Sequence, residues 1–230
     1  MIPKSACPLW PADNRSDLGR KARHSAASYT TYGDTIQGCS SCPPANANLI
    51  KLSKRDDVLT LSFSVTYWDY LGWRDSFGKQ VFTERQAAYE PALQQSGSYT
   101  PQMIVNGATT TVGNDYAEIN RLLSQAKPLK SPLLSLNKTS VSVGRGPIPA
   151  GPADVWLVRY DPNLVEVPVA RGENSGITLP HIHVVHELIH LGAWSLERRG
   201  DLLHVCPDIW SLQNSHPRTK CPRRSDIVGK

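Results

Sequence analysis

Gln37-Gly38-Cys39-Ser40-Ser41-Cys42-Pro43-Pro44-Ala45 is the stretch on which the fold turns. Two cysteines in C-x-x-C spacing are followed at once by two prolines. Proline is tolerated in a first helical turn, where its missing N–H would have had no partner. Ala45, Leu49 and Leu52 then recur at i, i+4 and i+7, one face of a helix. The stretch therefore reads as a tight lead-in that delivers Cys39 to a helix N-terminus. Asp56-Asp57 ends that helix.

Downstream, Val58 to Val65 alternates apolar and polar residues, the pattern of a strand. Tyr67-Trp68-Asp69-Tyr70-Leu71-Gly72-Trp73-Arg74-Asp75 is an aromatic-dense loop. Residues 81–95 read as a helix with Phe82, Tyr89 and Leu93 on one side and Pro91 set to kink or end it. Tyr99-Thr100-Pro101 precedes a short strand, Gln102 to Val105. Asn106-Gly107 marks a hairpin turn and Ala108 to Val112 the returning strand. Asn114 or Asp115 caps a last helix in which Ile119, Leu122 and Leu123 share a face. The order C-x-x-C, helix, strand, helix, Thr-Pro, strand, Asn-Gly, strand, helix is that of a thioredoxin-type domain. It lacks only the strand that should precede the motif.

Lys127 to Pro132 reads as a linker. Leu134 to Val143, Asp154 to Tyr160 and Leu164 to Val169 read as strands of a small antiparallel unit around a loop, 144–152, rich in Gly and Pro. His183 to Trp194 fits a strand or a helix. The expected fold class is thus α/β, a thioredoxin-like domain followed by a smaller β-rich domain. The expected boundaries are a disordered or aberrant segment over 1–23, the thioredoxin-like domain over 24–127, the β-rich domain over 128–195 and an irregular basic tail over 196–230.

A thiol attacks only as thiolate, and a free cysteine, with pKa about 8.5, is mostly protonated at neutral pH. A sulfur at a helix N-terminus meets backbone N–H groups and the positive end of the helix dipole. Cys39 is the expected nucleophile, and Cys42, one turn on and more buried, the thiol that resolves a mixed disulfide. A cis Pro101 facing the pair would leave the backbone of Thr100 free to dock an extended substrate. A static disulfide or half of a zinc site, completed by Cys206 and Cys221, remains an alternative for the same pair. The aromatic loop reads either as a cleft wall beside the dithiol, with Trp68 in support and Asp69 as proton acceptor for Cys42, or as packing.

His186-Glu187-Leu188-Ile189-His190 matches H-E-x-x-H. On a helix its histidines would share a zinc, with Glu187 as base. The extended form of that motif would need Gly at 193 and His at 196, where the chain has Ala193 and Leu196. Glu197, Asp201 and His204 are the possible third ligands. Val184-Val185 and Gly192 suit a long helix poorly, so the motif reads as a chance match, and no metal site is assigned.

The chain has 230 residues, a net charge of +5 and five cysteines. An odd count argues against a simple disulfide framework. The basic runs, residues 20–23 and 218–224, have no interleaved aromatics and read as solvated tails rather than nucleic-acid sites. No window approaches the roughly 18 apolar residues of a membrane span, and residues 1–23 do not read as a secretory signal peptide. No cofactor is expected. The expected partners are thiols and disulfides of proteins or small molecules, with no nucleic acid among them.

Residues 37–45, Tyr67 to Trp73, Tyr99-Thr100-Pro101-Gln102-Met103, Val105-Asn106-Gly107 and Val112-Gly113-Asn114-Asp115 together resemble a bacterial secreted-protein family of unknown function. The resemblance runs from about Gln37 to Trp194, with Arg171-Gly172-Glu173-Asn174 and Thr178-Leu179-Pro180-His181 in its C-terminal part. It implies a thioredoxin-like fold, export to the periplasm and a redox role, and it implies no substrate. The chain departs from the family at two places. Ala27 to Ile36 is polar where members carry an apolar strand, which should cost much of the core, and the family-like sequence is expected to stop at Trp194. Both breaks prompt the hypothesis that the ends are translated out of frame. The expected function is a thiol–disulfide oxidoreductase or redox-linked accessory protein of the bacterial envelope. The alternatives are a binding module with a static disulfide and, through the H-E-x-x-H segment, a zinc protease.

Overall fold

The structure, a computed structural model, describes residues 29–136, 140–144, 153–194 and 202–204. The segment expected over 1–23, nearly all of the 144–152 loop, Cys206, Cys221 and most of the basic tail lie outside the described residues. The fold class is α/β.

Nine strands occur among the described residues: β1 (Tyr29–Thr35), β2 (Val58–Ser64), β3 (Gln102–Val105), β4 (Thr109–Val112), β5 (Leu134–Leu136), β6 (Ser140–Val143), β7 (Ala153–Pro168), β8 (Thr178–Trp194) and β9 (Leu202–His204). Three helices join them: α1 (Cys42–Leu52), α2 (Gln80–Tyr89) and α3 (Tyr116–Gln125). Six strands form one mixed sheet in the order β4-β3-β1-β2-β8-β7, and β5-β6-β9 form a second.

β1 is the strand that the sequence reading failed to find, and it is central. It runs parallel to β2 over all seven of its residues and antiparallel to β3 over four. Its polar sequence is compatible with that place because backbone pairing on both edges does not depend on side chains. Side chains alternate between the two faces. Gly33 faces α1, where a Cβ would stand 3.4 Å from Leu49. Tyr32 faces the other layer and packs edge-on against Phe63. The polar remainder, Thr31, Asp34 and Thr35, is nonetheless buried.

One face of the sheet carries α1 and α3 over a core of Leu49, Leu52, Val58, Met103, Val105, Ile119, Leu122 and Leu123. The opposite face carries α2, with Phe82 set against Leu61, Phe63 and Val185. α2 ends at Tyr89; Glu90 keeps helical dihedrals (φ −52°, ψ −48°), but Pro91 has no N–H with which to continue the ladder. Its buried side is therefore Phe82 and Gln86, and not the Phe82, Tyr89 and Leu93 stripe of a longer helix. Asp115 caps α3, its side chain accepting the Glu118 N–H.

The segment expected as a separate β-rich unit divides between the two sheets. β8 pairs with β2 at Ser62 and Val184, and β7 pairs with β8 along nearly its whole length. The two strands expected over 154–160 and 164–169 are one strand, β7, broken by irregularities of register. Residues 178–194 are a strand throughout, which resolves the helix-or-strand ambiguity. Among the described residues no helix is long and apolar enough to cross a membrane.

α1 is locked beside the β3–β4 hairpin through Gly113. Its carbonyl accepts the Asn48 carboxamide at 3.0 Å and its N–H donates to the Pro101 carbonyl at 2.9 Å. A Cβ at Gly113 would lie 2.9 Å from the Ala45 Cβ and 3.3 Å from Pro101. Gly113→Ala should therefore push α1 off the hairpin and cost about 1–3 kcal/mol, the range for overpacking. Urea denaturation of the variant against the wild type measures it.

Candidate functional site at the Cys39–Cys42 turn

β1 ends at Thr35 and α1 begins at Cys42, so the motif occupies the strand-to-helix turn. Both cysteines are free thiols. Cys39 is 8% exposed and Cys42 fully buried, so Cys39 alone offers an edge to solvent. They pack with Ile36 and Val65, and Tyr67 and Trp68 close over that cluster. The Cys42 N–H donates to the Cys39 carbonyl at 3.1 Å, and the Ile36 N–H points at the Cys42 sulfur at 3.4 Å.

The Cys39 thiol is held down at about 6. The largest cause is the Cys42 thiol, which donates to the Cys39 sulfur; the Ser41 N–H and Thr100 add to it against the cost of burial. Cys42 is pushed strongly upward by giving that hydrogen bond and by its own burial. The helix supplies less than its position promised. Pro43 and Pro44 remove two N–H groups from the first turn of α1, so the thiolate relies on its partner cysteine.

Thr100 favours the thiolate at both sulfurs, and the Thr100–Pro101 peptide is cis. Pro101 is buried against the same corner, 3.3 Å from where a Gly113 Cβ would sit. Trp68 lies on the thiol cluster and stacks on Tyr70 at 5.7 Å, with Tyr70 itself largely exposed. Asp69 goes elsewhere. Its carboxylate accepts the Asp75 N–H at 3.1 Å, so it serves the loop. Cys42's own neighbours are Cys39, the Ile36 N–H and Thr100.

Two braces hold the turn. Asp75 accepts the Gln37 and Phe77 N–H groups, each at 2.8 Å, and Trp73 Nε1 donates to Gln37 Oε1 at 2.9 Å. Burial pushes the Asp75 carboxyl up to about 6. The second brace comes from the β7–β8 connection. The Asn174 carboxamide donates to both the Gln37 and Cys39 carbonyls at 2.8 Å. The Glu173 N–H donates to the Gly38 carbonyl at 3.3 Å, and Glu173 Oε2 accepts the Ser40 N–H at 2.8 Å. Gly172, at φ +82°, lies where a Cβ would press on Trp73 and Gly38; a positive φ and that contact both require glycine. The four-residue run Arg171-Gly172-Glu173-Asn174 stood out in the sequence, but nothing local to it pointed to Cys39.

A buried ionic pair lies under the β1 end of the site. Asp34 is fully buried, and neither of its oxygens has a hydrogen-bond partner among the described groups. Arg85 Nη1 is 3.8 Å away, and the guanidinium lies over the rings of Tyr32, Phe63 and Tyr89. Burial raises Asp34 to about 6, with Arg85 pulling the other way. Sequence reading missed this pair because Asp34 sits in the stretch read as irregular.

The H-E-x-x-H segment lies within β8, not on a helix. Four strand residues span about 13 Å, whereas two histidines on one zinc each stand about 2 Å from the metal. Each side chain has another neighbour: His186 the Phe77 ring at 6.0 Å, Glu187 the Arg159 guanidinium at 2.8 Å, His190 the Asp154 carboxylate at 2.9 Å. The β7–β8 ladder thus dismantles the protease geometry.

A family model for proteins of unknown function, DUF1223, matches residues 35–216. The chain belongs to the DUF1223 family. The match begins inside β1 and runs past Trp194, so the family-like sequence does not stop at residue 194 as expected. A protein of Agrobacterium tumefaciens, solved by X-ray crystallography, is similar over 78% of this chain and 77% of its own, at 31% identity and a TM-score of 0.59. No curated protein matches the chain.

The sulfur chemistry makes a direct forecast. Iodoacetamide alkylation of the reduced protein should label Cys39 with a midpoint near pH 6 and leave Cys42 unlabelled, since only the first thiol is both accessible and lowered. Peptide mass mapping across a pH series reads both.

Proposed function

We propose that the chain is a thiol–disulfide oxidoreductase built on a thioredoxin-like unit, with Cys39 as nucleophile and Cys42 as resolving thiol. The observation that carries the reading is the asymmetric pair: one accessible thiol lowered to about 6 by the other, which is fully buried. Perturbed thiols of this kind cluster where sulfur does chemistry. The strand order β4-β3-β1-β2, with α1 and α3 on one face and α2 on the other, supports the thioredoxin-like reading.

In the reducing direction, the Cys39 thiolate attacks one sulfur of a substrate disulfide. A Cys39–substrate disulfide forms, and the substrate's other sulfur leaves as thiolate and takes a proton. Cys42 then loses its proton and attacks Cys39, expelling the second substrate sulfur. The protein ends as the Cys39–Cys42 disulfide, and the substrate has gained two electrons and two protons. The oxidising direction is the same sequence reversed. Thr100, beside both sulfurs, is the docking position for the substrate backbone, with Tyr70 and Trp68 as the aromatic ground next to it. We place the partners among thiols and disulfides of the bacterial envelope, an oxidising compartment in which such pairs persist.

Cys42→Ser should accumulate dithiothreitol-sensitive adducts with disulfide-bearing proteins, while Cys39→Ser should give none. The wild type should accelerate insulin reduction by dithiothreitol. An absence of adducts together with no acceleration would leave a static binding module in place of the enzyme.

A further inference from the structure

We propose that Glu173 is a positioning residue that opposes ionisation of Cys39, restraining the nucleophile from across the fold. The inference deepens the oxidoreductase reading and rests on its assignment of Cys39.

The geometry is unusual for a loop 133 residues away in sequence. Glu173 is anchored at both ends of its residue. Its N–H donates to the Gly38 carbonyl and its carboxylate accepts the Ser40 N–H, so the two contacts straddle Cys39. Asn174, next in the chain, grips the Gln37 and Cys39 carbonyls. These contacts hold the carboxylate, although it is exposed, beside the residue that follows the nucleophile. Its grip on Ser40 keeps it ionised, since that hydrogen bond holds its carboxyl below the usual range.

A fixed negative charge opposes formation of a second one nearby. Among the groups that act on Cys39, the Cys42 thiol, the Ser41 N–H and Thr100 favour the thiolate. Burial and Glu173 oppose it. Behind Cys42 stand Tyr67, held protonated by burial, and Asp34, paired to Arg85 and acting on Tyr67. Glu173 is thus a carboxylate whose field falls on the nucleophile. It has a second effect on supply: Pro43 and Pro44 already remove two helix N–H groups, and Glu173 occupies the Ser40 N–H of the turn before the helix, which flanks Cys39. Raising the Cys39 thiol in this way favours the protonated dithiol and, at equilibrium, the disulfide over the thiolate form.

The test is the pH midpoint of Cys39 alkylation in the full chain, read with iodoacetamide and peptide mapping, for the wild type, Glu173→Gln and Glu173→Asp. Glutamine keeps an acceptor for the Ser40 N–H and removes the charge. It should lower the midpoint by about 0.3 unit, about a twofold gain in thiolate below the midpoint. Aspartate keeps the charge one methylene further back and should fall between the two. A midpoint that stays or rises in Glu173→Gln, or that falls equally in both variants, overturns the proposal, because the loop would then act by packing. Should Glu173→Gln fail to fold, salt decides on the wild type alone: screening of the carboxylate should lower the midpoint between about 0.01 and 0.5 M salt, and an unmoved midpoint overturns the idea. A wild-type midpoint near that of an ordinary thiol would instead sink the oxidoreductase reading itself, so the two failures are distinct.

Discussion

Between Thr35 and Cys42 the backbone leaves a central strand, reverses and starts a helix, and the polar groups of that turn have no ladder to join. The Asn174 carboxamide is what closes the account. It supplies two donors to carbonyls on either side of Gly38, while Glu173 takes the amide of Ser40. Buried backbone groups left unpaired cost about as much as a lost hydrogen bond each. The β7–β8 connection is therefore part of the thiol site, however far along the chain it lies. β8 joins the central sheet beside β2, and from there the β7–β8 loop reaches back over the turn that opens α1.

The site is also a concentration of charge in apolar surroundings. Asp34 and Asp75 are both buried and both raised to about 6, yet they are satisfied differently. Asp75 earns its place by accepting two backbone N–H groups of the loops it joins. Asp34 has only a distant guanidinium, itself cradled by three aromatic rings. A raised carboxyl weakens the fold as pH climbs from its unfolded value toward its folded one, because the native state then holds the proton more tightly. Both groups therefore favour the folded chain on the acid side of about pH 6. A fold that tolerates two such groups beside one thiol pair does so for geometry at the turn rather than for stability.

The H-E-x-x-H segment shows how a short motif loses its meaning when its secondary structure is not the one it requires. Val184, Val185 and Ile189 are β-branched residues that pack well on a pleated surface. The facing strand β7 supplies Arg159 and Asp154 as partners for Glu187 and His190. Cross-strand pairing decides the matter, and it is invisible in a window of five residues.

Much of this protein was legible before any coordinates. The proline pair after Cys42, the Thr-Pro before β3, the Asn-Gly hairpin and the cap at Asp115 each act within a few residues, and local chemistry of that kind reads directly from sequence. The nucleophile and resolving roles proposed for Cys39 and Cys42 rest on the same local pattern. What only the tertiary structure decided is long-range. β1 was missed because its central place comes from pairing on both edges and not from apolar side chains. Of the two readings of the aromatic loop, the place of Asp69 is set by a partner the sequence does not show, a backbone amide six residues on. Asn174 and Glu173 acquire their role only when a sheet brings them onto the turn, since hydrogen bonds across 133 residues and more leave no periodicity or spacing to read.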